Sequence, residues 1–261
     1  MKPRQMNKTN FLYKIKNHIA WLTINREAKR NAISPDIIES FHAALDDAQK
    51  NDDVRVVCIT GAGEKIFCAG ADLGKSMGKN NLEVFENYAS LISRLATYPK
   101  PTVARINGHC LAGGTGFMLA CDIVIAKESA TFGTPEVNVG LFPMMIGTLI
   151  FRNVPRKKAM EMIMLGEKLS ARQAMDMGMI TRQVPEKDFD AEVGKVLTAI
   201  CQKSPIGMRL GKLAFAKAEG MPLDDAVKML AKKLGEVAVT ADAKEGIKAF
   251  LEKRQPQFTG K

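Results

Sequence analysis

Apolar and polar positions follow two different periods along this chain. Residues 18–25, HIAWLTIN, combine β-branched and aromatic residues with partial alternation and end in the polar turn REAKRN, so they read as a strand. Ser34 and Pro35 then stand as N-cap and first helical position. Ile37, Ile38, Phe41, Ala44, Leu45 and Ala48 share one face at helical spacing, which predicts a helix over 35–50. VRVVCITG (54–61) is a nearly continuous apolar run, the pattern of a strand buried on both faces. EVFENYASLISRLATY reads as a second amphipathic helix, PTVARING (101–108) as a second buried strand and DIVIAKES (122–129) as a third. The glycine-rich stretch between these last two opens a further helix. Strands alternating with helices predict an α/β core with right-handed connections.

From about residue 156 the period becomes helical almost throughout, in RKKAMEMIMLG, SARQAMDMG, DFDAEVGKVLTAICQK, IGMRLGKLAFAKAEG, PLDDAVKMLAKKLGEVA and DAKEGIKAFLEKR. Only MITRQVP interrupts it as an extended piece. Residues 1–200 therefore read as the α/β core and 201–261 as a C-terminal helical region. No low-complexity linker and no internal repeat divides them.

Composition limits the partners. A chain of 261 residues, 46% hydrophobic and 25% charged, is an ordinary globular protein able to bury a full core. No apolar run approaches the ~20 residues of a bilayer span. The opening MKPRQMNKTN lacks the apolar centre of a secretory signal and is too short and non-amphipathic for an organelle presequence, so the expected location is cytoplasmic. Five cysteines in apolar segments, with no CxxC pair, and three scattered histidines predict neither a disulfide frame nor a metal site. A net charge of +10 asks for an anionic partner. The basic residues are interspersed with acids and aromatics make up only 6%, which argues against a nucleic-acid groove and leaves a phosphate-bearing small molecule.

Two corners carry candidate chemistry. VRVVCITG runs into a Gly-x-Gly turn, but the third glycine of a dinucleotide fingerprint would fall at Ile66. More telling is FCAGAD (67–72), a tight turn of small residues leaving a strand end. INGHCLAGGTG offers exposed N–H groups again at a helix start. Two such corners can hold one oxygen between them, the requirement of an oxyanion hole; alternatively, the small residues serve close helix–sheet packing. FGTPEVNVG downstream adds an acid, Glu136.

Taken in order, LTINREAKRNAIS, FCAGADL, INGHCLAGGTG with CDIVIA, FGTPEVNVG and EGIKAFLEKRQPQF resemble the signature segments of the enoyl-CoA hydratase/isomerase family, or crotonase superfamily, over nearly the whole chain. The resemblance implies an α/β fold, a crotonase-like spiral of ββα units with a C-terminal helical trimerisation region. It also implies acyl-CoA thioester substrates and a homotrimer or homohexamer, with no membrane partner and no cofactor apart from the coenzyme A carried by the substrate. Carried over residue by residue, the oxyanion donors fall on the N–H groups of Ala71 and Gly113. Lys29 and Arg30 would lie along the pantetheine and phosphates, with Ala69, Asp72 and Lys75 as further coenzyme A contacts. Phe250 and Lys253 would reach the adenosine end, in some relatives across a subunit boundary.

The chain departs from the family in two places. Hydratases of the family carry two glutamates, the first three residues after the oxyanion glycine; here that position is Gly116, which leaves Glu136 as the acid/base. Two carboxylates suit water addition, whereas one suits a 1,3-proton shift. The expected activity is therefore double-bond isomerisation of an enoyl-CoA. The alternatives are 2-enoyl-CoA hydration, acyl-CoA decarboxylation or hydrolysis, and non-catalytic binding of acyl-CoA or RNA. The second departure is GLFPMMIGTLIF (140–151), where many relatives have small residues after the proline. Methionine is an adaptable filler of cores, but Met144 and Met145, with Thr115 and Gly116, are also candidate neighbours of the reacting carbons.

Overall fold

The computed structural model describes residues 5–72 and 81–261. The chain opens with an antiparallel meander of β1 (Gln5–Lys8), β2 (Phe11–Lys16) and β3 (Ile19–Ile24). Only the last of these strands was legible from the sequence pattern. From β3 onward the large sheet is parallel, through β4 (Val56–Gly61), β6 (Thr102–Ile106), β8 (Ile123–Lys127) and β11 (Arg182–Val184). The extended MITRQVP segment thus supplies a true edge strand, paired with β8.

A second, smaller sheet collects β5 (Ile66–Cys68), β7 (His109–Leu111) and β9 (Thr131–Gly133) in parallel, with β10 (Leu169–Ser170) antiparallel at its edge. Each successive unit sends its first strand to the large sheet and its second to the small one before its helix. β4 and β5 lead to α2 (Asn81–Ala96), and β6 and β7 lead to α3 (Gly113–Leu119). β8 and β9 lead to α4 (Met144–Asn153). This repetition makes the fold a spiral of ββα units.

Helix α1 (Pro35–Lys50) begins as its sequence predicts, with Pro35 in the first turn and Ser34 extended at the cap position. The Ser34 hydroxyl, however, donates to Asp36 at 2.6 Å and accepts no helix N–H. The six apolar stripe residues of α1 are all buried in the main core between the sheets and helices. The opposite face of the large sheet is covered by α7 (Phe189–Cys201), which follows α5 (Arg156–Leu165) and α6 (Ala171–Asp176). There Phe189, Val193, Val196 and Leu197 meet Val56, Cys58, Val103 and Ile125. Two covered faces explain why every residue of β4 is buried.

The last helices are α8 (Pro205–Ala218), α9 (Leu223–Ala238) and α10 (Ala241–Leu251). Buried Asp242 accepts from the Ser204 hydroxyl and from the N–H groups of Thr259 and Gly260, closing the C-terminal segment onto itself. Arg55, just before β4, donates to the carbonyls of Cys201 and Phe258 and so fixes that segment where β4 begins. Helix α9 buries none of its residues, and Leu223, Val227 and Leu234 stand exposed on it. Among the described residues no helix is long and apolar enough to cross a membrane.

Candidate active site

The site lies beyond the carboxyl ends of the parallel strands, where two turns meet. Two fully buried asparagines hold the β4–β5 connection in place. Asn31 donates to the carbonyls of Ala62 at 3.0 Å and Ile66 at 2.8 Å, and Asn107 donates to Gly63 at 2.7 Å. Buried amides with their donors satisfied make a rigid support.

Past β5 the chain reverses at Gly70, whose φ of +97° favours glycine. Ile33 then donates to the Gly70 carbonyl at 2.8 Å and accepts from the Asp72 N–H at 2.7 Å. Because Ile33 bonds to the residues on either side of Ala71, the Ala71 N–H itself points away from Ile33. It donates to no carbonyl among the described residues, and Ala71 is exposed.

The second turn is set by Ala112, which has φ 50° and ψ −129°, a region L-residues avoid. Its N–H donates to Gly133 at 2.9 Å, and α3 starts at the next residue. The Gly113 N–H is therefore the leading donor of that helix, and it bonds to no carbonyl among the described residues. A Cβ on Gly70 would stand 2.5 Å from the Ala112 Cβ and 3.2 Å from the Gly113 nitrogen, so the two turns touch. Two neighbouring free donors on rigid turns are able to hold one developing oxyanion.

Glu136 stands close enough for its charge to act on Tyr88, whose hydroxyl donates to the Gly113 carbonyl. Its segment, a 3-10 turn over Pro135–Val139, follows β9, and the Gly133 carbonyl that ends β9 accepts from both Ala112 N–H and Thr115 Oγ1. Glu136 is half-buried and forms no ion pair among the described residues. Its Oε2 is buried without a hydrogen-bond partner, as is Thr134 Oγ1. Burial pushes the Glu136 pKa up, opposed only by its own backbone N–H. A desolvated carboxyl with one oxygen lacking a hydrogen-bond partner among the described residues is suited to carrying a proton.

The other expected residues divide. Lys29 and Arg30 are exposed, and the Arg30 carbonyl accepts from the Ala69 N–H at 3.1 Å, so both cations border the Ala69–Ala71 turn. Asp72, expected to face coenzyme A, is instead ion-paired to buried Arg26 at 2.9 Å. Arg26 also donates to the Ala32 carbonyl at 2.6 Å, so Asp72 tethers the turn from behind. Lys75 lies outside the described residues. Phe250 lies within α10 and Lys253 just after it, and the segment that follows is fixed at the start of β4, roughly 20 Å of strand from the site. Within one chain they do not meet Ala71, Gly113 or Glu136.

The residues expected near the reacting carbons take different positions. Thr115 is fully buried and spends its hydroxyl on Gly133 at 3.2 Å and Cys110 at 3.4 Å, tying α3 to the small sheet. Met144 is 73% exposed, while Met145 packs partly buried against the core. Gly116 is buried, and a Cβ on it would stand 2.5 Å from Ile146 Cγ2 and would collide with the Tyr88 hydroxyl. Tyr88, which the motifs did not single out, and Ile146 of the 140–151 segment thus occupy the space beside Gly116. The hint for Tyr88 was a hydroxyl within the apolar stripe of a helix.

A family model described as enoyl-CoA hydratase/isomerase matches residues 14–261. The Xenopus laevis protein called enoyl-CoA hydratase domain-containing protein 3, mitochondrial, is 34% identical over 242 residues, covering 91% of this chain and 82% of its own. The crystal structure of the human protein with that domain name superposes with a TM-score of 0.91 at 30% identity, covering 95% of this chain and all (100%) of that one. An enoyl-CoA hydratase structure from Bacillus anthracis gives a TM-score of 0.91 at 33% identity, over 97% and 100% of the two chains.

Proposed function

The chain belongs to the enoyl-CoA hydratase/isomerase family and is an enzyme of acyl-CoA thioesters; from that premise we propose that it moves the double bond of an enoyl-CoA. The observation that carries this reading is Glu136, whose Oε2 is buried without a hydrogen-bond partner among the described residues, taken with the Ala71 and Gly113 N–H groups, which donate to no carbonyl among the described residues, and with glycine at position 116 in place of a second carboxylate.

In the proposed reaction Glu136 takes a proton from C2 of a 3-enoyl thioester. The electron pair of the broken C–H bond spreads over the dienolate to the thioester oxygen, where the Ala71 and Gly113 donors stabilise it. The same carboxyl then gives the proton to C4, and the double bond comes to rest between C2 and C3. One C–H bond breaks and one forms, and neither water nor a separate cofactor is consumed. The raised pKa of Glu136 favours this role, since the carboxyl must hold the proton between the two transfers. Lys29 and Arg30 are the proposed partners of the coenzyme A phosphates. The exposed apolar residues of α9, with Phe215 and Phe250, support assembly as a homotrimer or homohexamer.

Hydration of 2-enoyl-CoA is the second reading, favoured by the names of the relatives. A panel of 2-enoyl, 3-enoyl, 3-hydroxyacyl and malonyl-type CoA esters separates the two, with products identified by mass and double-bond position. Isomerisation converts the 3-enoyl ester without a change of mass. Faster conversion of the 2-enoyl ester to a product heavier by one water overturns it.

A further inference from the structure

Three features meet at the Tyr88 hydroxyl. It donates to the Gly113 carbonyl, in the first turn of the helix whose leading N–H is one of the two free donors. It fills the volume beside Gly116, with Ile146 closing the other side. Its ring stands edge-on to Phe117 at 5.6 Å, and Phe117 packs on Phe41 at 4.8 Å, so the phenol is held at 6% exposure and has little freedom to swing away. Burial, the Cys68 and Cys110 thiols and the Glu136 charge together push its pKa well above the usual tyrosine value, so it remains a donor.

A buried tyrosine commonly satisfies its hydroxyl on the nearest carbonyl for packing alone. Tyr98 does so, donating to Leu45 at 2.7 Å away from the site. Tyr88 differs in what it holds and in what it shuts out.

We propose that Tyr88 is a positioning residue of this active site: through Gly113 it fixes the aim of the α3 donor, and with Ile146 it keeps water from the space between α3 and Glu136. A proton removed from the substrate then returns to the substrate instead of exchanging with solvent. This proposal rests on the reading of Glu136 as sole proton carrier.

Turnover of a 3-enoyl-CoA in D2O tests both roles in the intact protein. In the wild type, the product carries little solvent deuterium. Tyr88→Phe keeps the ring but loses the bond to Gly113, and lowers kcat about tenfold with KM within about twofold, as expected for one lost aligning hydrogen bond. Tyr88→Ala opens the space and raises the deuterium content of the product at least about threefold, while circular dichroism confirms the fold. Unchanged kcat in Tyr88→Phe, or unchanged deuterium content in a folded Tyr88→Ala, overturns the proposal and leaves the Glu136 reading standing. If Tyr88→Ala fails to fold, the kcat of Tyr88→Phe decides alone. A wild type that does not shift the 3-enoyl double bond overturns the Glu136 reading itself, and this proposal with it.

Discussion

Gly70 and Ala112 meet where the two donor-bearing turns touch: a Cβ on the glycine would stand 2.5 Å from that of the alanine. Both have positive φ, +97° and +50°, so two unusual backbone conformations shape the turns that carry the Ala71 and Gly113 N–H groups. Gly70→Ala is expected to cost about 2 kcal/mol, from the strained φ and the forced contact, and to lower kcat more than about tenfold. Ala112→Gly should relieve strain and raise stability by about 1 kcal/mol after the entropy of the added glycine is subtracted. Thermal unfolding of both variants checks this; destabilisation by Ala112→Gly would show that the turn stores no strain.

Glu136→Gln keeps the shape of the carboxyl group as a carboxamide but cannot carry the proton, so turnover should fall at least about 100-fold while binding of a CoA ester persists. The acid limb of the wild-type kcat/KM profile should lie above the ordinary glutamate range, because burial makes the working, deprotonated form harder to reach. The stability effect has the opposite sense to that of a salt-bridged carboxylate. Ionisation penalises the native state, with no cost below the unfolded pKa and a growing cost as pH rises through the folded one. Glu136→Gln should therefore match or exceed the wild-type melting temperature at pH about 7, with the difference vanishing near pH about 4. Near-normal activity of the folded variant would remove Glu136 from the mechanism.

Asp72→Asn leaves the Arg26 guanidinium buried without its counter-charge. The expected cost is about 2 kcal/mol, smaller than for a dry pair because the Asp72 side chain remains 20% exposed. The Ala71 turn should loosen, lowering kcat more than it raises KM. Unfolding curves and steady-state kinetics test the two parts separately, and a variant as stable as the wild type would show that Asp72 is no tether.

Lys29→Glu combined with Arg30→Glu reverses two exposed charges at the border of the Ala69–Ala71 turn. If these bind the coenzyme A phosphates, KM should rise about tenfold with kcat within about threefold. The difference from wild type should shrink at high salt. A salt-independent change, or none, would place the phosphates elsewhere.

Local pattern was sufficient for several elements. The stripe from Ile37 to Ala48 located α1 over the residues it occupies, because a face buried at every helical turn leaves a repeat in the sequence. The unbroken VVCITG run announced a strand covered on both sides. The turn at Ala71, the helix start at Gly113 and Glu136 were marked by small residues and one acid in a known order. The second sheet was not legible, because strands of two or three residues such as Ile66–Cys68 and Leu169–Ser170 are too short to show a period. The β1–β2 hairpin left a weaker mark for a different reason: in Phe11–Lys16 the partly buried Leu12 blurs the alternation of Phe11, Tyr13 and Ile15.

By itself, then, the sequence determined the succession of strands and helices and the family segments, with a glycine at 116 and a glutamate at 136, all of which rest on neighbours along the chain. Only the tertiary structure decided that Asp72 answers Arg26, that Thr115 turns into the core, that Met144 faces outward and that Tyr88 stands where a side chain at Gly116 would go. Periodicity reports which face of an element is buried. It carries no record of which residue on a distant element packs against that face. Tyr88 reaches Gly113 from a different ββα unit, and the contact exists only because two helices close over the same strand ends.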